Sequence, residues 1–264
     1  MAEAPVDSPR TVSRAWRWVP VWRRNLLVWT KLAVPSLIGH FGEPLLYLLA
    51  LGYGLGALVG RVADMPYLFF LASGIFCSSA MMTSSFEATY SAYSRMAVQK
   101  TWEAIISTPL SVTDVVIGEV MWAATKSIFS AGAILLVAWA LGAVGAWSAI
   151  LAVPVALLAG FCFAAMAMVI TAVARSYDFF LYYTTLVVTP MLLICGVFFP
   201  VSQMPAAVQS LAAVLPLSHA VAVARPLIVG DVPVDVALHL GVLALYGTAA
   251  LALACRLLKK RLDA

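Results

Sequence analysis

The sequence predicts an all-α membrane protein with six transmembrane helices. Of its 264 residues, 63% are hydrophobic and only 11% are charged, whereas roughly 25% are charged in an average soluble domain. Six stretches are as long as the roughly 20 mostly apolar residues that cross a bilayer. They lie at about 32–59, 66–92, 113–141, 147–173, 178–199 and 235–256. None of them alternates apolar with polar residues, which argues against a transmembrane β-barrel.

The positions of the basic residues predict the orientation of these spans. All but two of the 16 Lys and Arg residues lie before span one, in the loops after spans two and four, early in span three or in the tail. The other two are Arg61 and Arg225. Because Lys and Arg concentrate in cytoplasmic segments, both termini are predicted to be cytoplasmic. The net charge of +4 therefore reflects membrane orientation, and no nucleic-acid partner is expected.

Residues 1–31 are predicted to form a cytoplasmic segment with an amphipathic helix at the membrane interface. Its Trp and Arg side chains recur at helical spacing, and the interface candidates are Arg14, Trp16, Arg17, Trp22, Arg23 and Arg24. Helices of this composition lie flat among the lipid headgroups, and Pro20 is expected to kink this one. Two interpretations stay open: an anchor for the first span, or a helix that also contacts a cytoplasmic partner.

A second amphipathic helix is predicted at about 98–107, in the cytoplasmic loop between spans two and three. The apolar residues on one of its faces are Val98, Trp102, Ile105 and Ile106. Such a stripe requires a groove, either in the membrane surface or in another protein. Pro109 is expected to end the helix, and Ser111 with Asp114 forms a capping signal that starts the third span.

The segment between spans five and six predicts an outer re-entrant hairpin at about 203–230. Two apolar runs, Ala206–Leu215 and Ala220–Val229, flank the sequence Pro216-Leu-Ser-His219. Each run is too short to cross the membrane, so we expect two half-helices whose ends are buried against protein. The hairpin candidates are Pro216, His219 and Arg225, and His219 is expected to cap or orient the hairpin.

Few residues are suited to chemistry. The charged residues within or near the spans are Glu43, Glu87, Glu119, Lys126 and Asp178, and we expect them to form interfacial ion pairs or to snorkel toward water. His40, His219 and His239 are isolated in sequence. No catalytic motif, metal-ligand cluster or nucleotide-binding loop is present. We therefore predict no catalytic residue, no metal site and no cofactor bound by this chain.

Several motifs resemble the permease subunit of ABC-2 type exporters. These motifs are Gly196-Val-Phe-Phe-Pro-Val-Ser-Gln-Met-Pro205, Leu215-Pro-Leu-Ser-His219 and Arg225-Pro226. Five strings resemble the nodulation protein J branch of that family: Val21-Trp-Arg-Arg-Asn25, Thr101-Trp-Glu-Ala104, Trp122-Ala-Ala-Thr-Lys126, Ser176-Tyr-Asp178 and Pro216-Leu-Ser-His219. The resemblance covers about residues 16–262. It implies a six-helix transmembrane domain at 32–256, followed by a basic cytoplasmic tail at 257–264.

The resemblance also implies partners and a mechanism. Two permease subunits pair with two copies of a cytoplasmic ATPase, which binds ATP and Mg²⁺, and ATP-driven closure of the ATPases rocks the permeases. The helix at 98–107 docks on the ATPase through Lys100, Trp102, Glu103, Ile105 and Ile106, with Trp102 as the anchor. The implied cargo is an amphipathic lipo-oligosaccharide, and two candidates stay open: the lipo-chitooligosaccharide nodulation signal that this branch exports, or a related glycolipid or polysaccharide. It leaves across the bacterial inner membrane.

Aromatic side chains in the spans are candidates for the substrate path, because they are able to stack on sugar rings or contact an acyl chain. They are Tyr47, Tyr53, Tyr182, Tyr183, Phe198 and Phe199. Two other functions stay open. One is a membrane-embedded enzyme acting on lipid-linked sugar, which the missing acid–base pair disfavours. The other is an ion-coupled secondary transporter, which the missing row of carboxylates at the membrane midplane disfavours.

Overall fold

The computed structural model describes residues 13–31 and 45–262, which are predominantly helical. The helices in chain order are α1 (Val19–Thr30), α2 (Leu45–Val59), α3 (Tyr67–Val98), α4 (Thr101–Ile106), α5 (Val112–Ala140), α6 (Trp147–Val173), α7 (Asp178–Ile194), α8 (Ala206–Val214), α9 (Pro216–Val229) and α10 (Val236–Leu262). Short 3-10 turns at Arg14–Trp16 and Val201–Gln203 precede α1 and α8.

The all-α membrane architecture is confirmed, whereas the count of six spans is not. Four of the described helices, α3, α5, α6 and α10, are long and apolar enough to cross a membrane. The helices α8 and α9 are bent by 85° and count as a fifth span only if taken together, while α2 and α7 are apolar but shorter. Part of the first predicted span, 32–44, lies outside the described residues. The helix of the predicted fifth span, 178–199, ends at Ile194, because Gly196 turns the chain with a φ of +77°.

The helices α3, α5 and α6 pack side by side and form the core of the bundle. The helix α10 packs on α6, and α9 packs on both α3 and α6. Small residues permit this close approach: a methyl group at Gly160 of α6 would clash with the Ser127 hydroxyl of α5. We call the end of the bundle that carries α1 and α4 the α4 end, and the end that carries α8 and α9 the hairpin end.

The helix α1 lies on α5 and attaches the N-terminal segment to the bundle. Val21 and Asn25 are buried in α1, and a methyl group at Gly118 of α5 would come within 2.6 Å of the Val21 Cβ. Pro20 lies in the first turn of α1, where its missing N–H leaves no helical hydrogen bond unmade. The predicted kink is therefore wrong, and Pro20 helps to start the helix.

The break between α3 and α4 falls at Lys100, which has a left-handed φ of +56°. Val98 still belongs to α3, so the predicted start of the second amphipathic helix at 98 is wrong, and α4 is limited to Thr101–Ile106. Arg95, which the sequence analysis placed in the loop, also lies in α3. The helix α3 is longer than hydropathy predicts because it continues past the apolar stretch and carries its own charged residues.

The structure also shows where α5 begins and where α10 ends. The capping signal before α5 is confirmed: Ser111 Oγ accepts a hydrogen bond from the Asp114 N–H at 3.3 Å, and Asp114 Oδ2 accepts one from the Ser111 N–H at 2.9 Å. The helix α10 continues past the predicted end of the last span at 256 and runs through Lys259 and Lys260 to Leu262. Most of the predicted tail at 257–264 is thus part of this helix.

The hairpin is present, but its division differs from the prediction. Pro216 is the first residue of α9, because proline fits the first turn of a helix. The sequence Pro216–His219 therefore lies in the second half-helix and does not separate two helices. At the same end, an antiparallel pair that the sequence analysis missed, β1 (Arg61–Val62) and β2 (Met65–Pro66), connects α2 to α3. Its two turn residues have positive φ.

Candidate functional site

Four charged side chains form a buried group at the α4 end. Glu87 and Arg95 come from α3, and Glu119 and Lys126 come from α5. Arg95 Nη2 donates to Glu87 Oε1 at 2.9 Å and to Glu119 Oε2 at 2.6 Å, while Lys126 Nζ donates to Glu87 Oε2 at 2.9 Å. Two carboxylates thus balance two cations, which reduces the large free-energy penalty of placing charge away from water.

Two tryptophans complete the group and connect it to α4. The Trp102 Nε1–H of α4 donates to Glu119 Oε1 at 3.2 Å, and the Trp122 Nε1–H of α5 donates to Glu87 Oε1 at 2.9 Å. Both indoles are buried. We call these six residues (Glu87, Arg95, Trp102, Glu119, Trp122 and Lys126) the ion cluster. It links α3, α4 and α5 through hydrogen bonds and ion pairs.

Helical geometry explains how the sequence builds the ion cluster. Glu119, Trp122 and Lys126 are spaced by three and four residues and share one face of α5. On α3, one π-helical turn, Glu87–Ser91, begins at Glu87. A second π-helical turn, Ser94–Val98, includes Arg95. Such turns are frequent at functional sites. The predicted ion pairing is confirmed for the two glutamates and Lys126, but the pairs are inside the bundle and do not snorkel.

The structure contradicts the prediction that Trp102 anchors a groove of another protein. Its side chain is fully buried in the chain's own core, because the apolar side of α4 packs against α5. Ile105 and Ile106 are half-buried. Glu103 and Ala104 remain on the exposed face of α4, and Lys100, which directly precedes the helix, is exposed beside them. Two of them form an ion pair at 2.7 Å, with side chains that are 62% and 58% exposed.

The predicted interface residues of the N-terminal segment divide into docked and exposed ones. Trp22 Nε1 donates to Thr125 Oγ1 of α5 at 3.0 Å, and Arg24 Nη1 donates to Asn25 Oδ1 at 2.9 Å. Desolvation lowers the pKa of the Arg24 guanidinium. Trp16 and Arg23 are exposed, Arg17 is half-buried, and Arg14 lies in the 3-10 turn. One edge of α1 is thus bound to the bundle, and the other is free to contact a membrane surface.

The predicted substrate-path aromatics do not form one site. The rings of Tyr47 and Phe198 approach each other with centroids 6.5 Å apart, and Tyr183 is buried. The other three candidates, Tyr53, Tyr182 and Phe199, are exposed. Among the described residues, no ring contact joins these three to one another. The six predicted aromatic residues therefore do not lie together at one place in the structure.

A different aromatic group lies at the α4 end, and the sequence analysis missed it. Its members are Phe86, Tyr90 and Tyr93 of α3, with Tyr177 and Phe180 at the start of α7. Neighbouring ring centroids are 4.8 to 6.1 Å apart, which is the usual range for aromatic pairs. The spacing of Phe86 and Tyr90 is a local helical signal, whereas the pairing of α3 with α7 depends on the fold.

At the hairpin end, Arg225 of α9 connects three parts of the chain. Its Nε donates to Ser73 Oγ at 2.9 Å, and its Nη2 donates to the Gly196 carbonyl at 2.6 Å and the Phe70 carbonyl at 3.3 Å. The guanidinium carbon lies 3.7 Å from the centroid of the Phe70 ring, a cation–π contact. Arg225 thus ties α9 to α3 and to the turn that follows α7.

His219 also makes contacts that hold the hairpin in place. Its Nδ1 lies 2.7 Å from His239 Nδ1 of α10, and its Nε2 lies 3.0 Å from the Ala213 carbonyl of α8. For neutral imidazoles, these contacts assign the His219 Nε2–H to the carbonyl and the His239 Nδ1–H to His219. This geometry fits the expected orienting role. The contact between His219 and His239 was not predicted from the sequence, because it joins different helices.

The remaining polar candidates form no further site in the described parts of the chain. Within residues 13–31 and 45–262, no group of three or more His, Cys, Asp or Glu side chains is arranged to hold a metal ion. Asp178 is exposed and accepts a hydrogen bond from Ser176 Oγ at 3.3 Å. His40 and Glu43 lie outside the described residues.

Comparisons with known proteins agree with this architecture. Residues 18–229 match the protein family described as ABC-2 type transporter. The chain is 45% identical over 250 residues to the nodulation protein J of Rhizobium meliloti (strain 1021), which covers 95% of both chains. It is 47% identical over 245 residues to that of Rhizobium leguminosarum bv. trifolii, covering 93% of this chain and 94% of the relative. The nodulation protein J of Bradyrhizobium diazoefficiens is 43% identical over 250 residues, again 95% of both chains.

Proposed function

Since the chain belongs to the ABC-2 type transporter family, we propose that it is the transmembrane permease subunit of an ATP-driven exporter. The sequence contains no G-x-x-x-x-G-K-[ST] motif, the loop that cradles nucleotide phosphates in P-loop ATPases. A separate ATPase subunit would therefore bind ATP and Mg²⁺ and perform the hydrolysis. The permease itself would have no catalytic residue and would supply the path across the membrane.

The observation that carries this proposal is the connection between α4 and the ion cluster. The exposed face of α4 is the surface that we assign to the ATPase. On the opposite side of α4, Trp102 donates to Glu119, which in turn accepts from Arg95 of α3. A displacement of α4 thus reaches two long helices through directly bonded side chains. This is the arrangement that a rigid-body transport movement requires.

We further propose that two permease copies assemble with two ATPase subunits. The family resemblance implies this stoichiometry. In the described part of the chain, α2 and α7 expose large apolar side chains, which include Leu46, Tyr53, Tyr182 and Leu186. We assign these faces to contact with the second copy and with lipid.

The proposed cargo is an amphipathic glycolipid or oligosaccharide, with a lipo-chitooligosaccharide as the specific candidate. Its support is the similarity to several proteins named nodulation protein J. We propose that the chain lies in the bacterial inner membrane, with both termini and the α4 end in the cytoplasm. The distribution of basic residues supports this orientation.

The ATPase assignment is tested by placing a charge on the exposed face of α4. The variant Ala104→Glu is expected to lose a co-purifying P-loop ATPase and ATP-dependent export, because an unpaired carboxylate in a packed interface is strongly unfavourable. The control is Val232→Glu, which places the same side chain at an exposed position between α9 and α10. Both variants should reach the membrane in wild-type amounts.

Two results would contradict the proposal at different levels. If Ala104→Glu retains the ATPase and exports normally, the α4 face is not the docking surface. If the purified chain in proteoliposomes moves a lipo-chitooligosaccharide without an ATPase, the function itself is wrong.

The orientation has a separate test. Ser210 in α8 and Gln99 beside α4 are both exposed, but they lie at opposite ends of the bundle. In intact cells, Ser210→Cys should therefore react with a membrane-impermeant thiol reagent, whereas Gln99→Cys should not. The wild-type chain, with its own cysteines, gives the background. The reverse labelling pattern would invert the proposed topology.

A further inference from the structure

A groove opens between α1 and α3 at the α4 end and borders the ion cluster. Its volume is about 490 Å³, within the range of small-molecule sites. The residues that α1 contributes include Arg24, Asn25 and Trp29, and those that face them include Tyr90 and Tyr177. Glu87 and Arg95 of the ion cluster also line it. We call this space the α1–α3 groove.

Asn25 is a buried polar residue with an unmade hydrogen bond. It is the only asparagine in the chain, and it is 3% exposed. Its Oδ1 accepts from Arg24, but its Nδ2 has no hydrogen-bond partner among the described residues. Leaving a buried donor unsatisfied destabilises a protein, so an amide at this position is costly unless something binds to it. Leucine would fill a similar volume without that penalty.

Aromatic rings and neutral polar groups make up much of the rest of the lining. Tyr90 and Tyr177 stack with their ring planes 12° apart and centroids at 6.1 Å, and both are at least partly exposed. Ser91, Ser94 and Gln99 supply hydroxyl and amide groups along the same side. Aromatic surface next to hydrogen-bonding groups matches a ligand that has both C–H surfaces and many hydroxyl or amide groups.

Two of the three charged side chains that line the groove, Glu87 and Arg95, are compensated within the protein. The Arg95 guanidinium is already bound to two carboxylates, and Lys126 compensates Glu87. The third, Arg24, forms no ion pair with a carboxylate of the described residues, and one of its N–H groups donates to Asn25. A phosphate would require several available cationic donors, whereas sugar hydroxyls and amides accept single hydrogen bonds. At the rim, Val28 and Phe86 are exposed and offer an apolar exit toward the bilayer for an attached acyl chain.

We propose that the α1–α3 groove binds the sugar head group of an amphipathic glycolipid on the α4 side of the membrane. The Asn25 side chain turns its buried Nδ2 toward the groove and donates a hydrogen bond to the sugar. The ring edges of Tyr90 and Trp29 contact the sugar, because their faces stack on neighbouring rings. The acyl chain leaves past Val28 and Phe86. This inference rests on the proposed function, because it identifies where the exporter takes up its cargo. It differs from the sequence-predicted substrate path, none of whose residues lines this groove.

The test measures binding of a defined probe to the full chain, co-purified with its ATPase and reconstituted in nanodiscs. The probe is chitotetraose acylated with a palmitoyl chain, and the comparison ligands are palmitamide and phosphatidylglycerol. Asn25→Leu is expected to weaken probe binding about five- to tenfold, the effect of one lost hydrogen bond. Tyr90→Leu should weaken it about fivefold through loss of ring contact. The matched control, Trp147→Leu, removes an exposed aromatic at the hairpin end and should bind the probe as the wild type does.

A second measurement separates binding from folding. Because Asn25 Nδ2 is unsatisfied, Asn25→Leu should keep or raise the midpoint of thermal unfolding while it weakens probe binding. A lowered midpoint together with unchanged probe affinity would show a purely structural role and overturn the proposal. Equal affinity losses for the probe and palmitamide would assign the groove to acyl chains. Effective competition by phosphatidylglycerol would assign it to a phospholipid head group.

The proposed function can fail independently. If an ATPase co-purifies and the wild-type complex exports the probe, but the groove variants bind it normally, only the location of the binding site is wrong. If no ATPase co-purifies, the exporter proposal itself is wrong.

Discussion

Replacing Arg95 with methionine would leave a buried carboxylate without its cation. In the native chain, Glu119 accepts three contacts from Arg95 at 2.6 to 3.1 Å and one from Trp102. Glu87 would keep Lys126 and an indole as partners, so the penalty falls mainly on Glu119. Removing one member of a buried ion pair costs about 3–5 kcal/mol of stability. We expect Arg95→Met to be destabilised by about 4 kcal/mol.

The double variant Arg95→Met with Glu119→Leu should be more stable than the single variant. It removes both members of one pair and leaves the second pair, Glu87 with Lys126, electrically balanced. Replacing a buried pair with apolar residues is often neutral or stabilising. What remains is the unsatisfied indole N–H of Trp102, which costs about 1–3 kcal/mol. The second substitution should therefore recover about 2 kcal/mol of the loss.

The assay is thermal unfolding of the purified chain in detergent, with Lys100→Met as the matched control. Lys100 forms an ion pair of similar length, 2.7 Å, but both side chains are more than half exposed, and such pairs contribute about 0–1 kcal/mol. With about 2–4 °C per kcal/mol for a chain of this size, Arg95→Met should lower the midpoint by about 10 °C and Lys100→Met by less than about 4 °C. Equal shifts for the two single variants, or a double variant less stable than Arg95→Met, would refute this account of the ion cluster.

Substitutions at four other positions test the packing and the helix ends by the same thermal assay. Gly118→Ala should destabilise the chain and loosen α1, because the added methyl group meets the Val21 Cβ at 2.6 Å. The loosening is measured as protease cleavage before Val21. In the control, Gly132→Ala of the same helix α5, the methyl group meets nothing within 4 Å, and this variant should be stabilised by up to about 1 kcal/mol. Arg225→Lys should cost about 2–3 kcal/mol, because an ammonium on a flexible stem does not reproduce the guanidinium fork that reaches three oxygens; an unchanged midpoint would show that the fork is dispensable. Ser111→Ala should cost about 1 kcal/mol by removing the N-cap of α5, and Ser111→Asp should restore it.

Hydropathy predicted the long helices well because it averages over many residues. The bounds of α5 and α6 differ by a residue or less from the predicted third and fourth spans, and the start of α5 was fixed by a local signal, Ser111 with Asp114. The ends of α3 and α10 were underestimated. Both helices continue into charged sequence, where hydropathy falls although the backbone stays helical.

The surroundings of individual side chains were harder to predict. The stripe that contains Trp102 correctly indicated a helix with one apolar side, but such a stripe does not identify what covers it. Here α5 covers it, and Glu119 supplies a buried acceptor for the indole. A single sequence gave no way to see that Arg95 of a neighbouring helix makes this carboxylate tolerable. The same limit explains why the contact between His219 and His239 was missed.

The first turns of α5 connect the proposed ATPase surface to the α1–α3 groove. Along one stretch of this helix, Gly118 contacts α1, Glu119 binds Trp102 of α4 and Arg95 of α3, and Trp122 binds Glu87 of α3. Because α1 and α4 are both attached to this stretch, a displacement of the start of α5 acts on both helices. Glu87 and Arg95 also line the groove. A ligand in the groove and a force on α4 would therefore act on the same ion pairs, so binding at one should alter the response to the other without a separate relay.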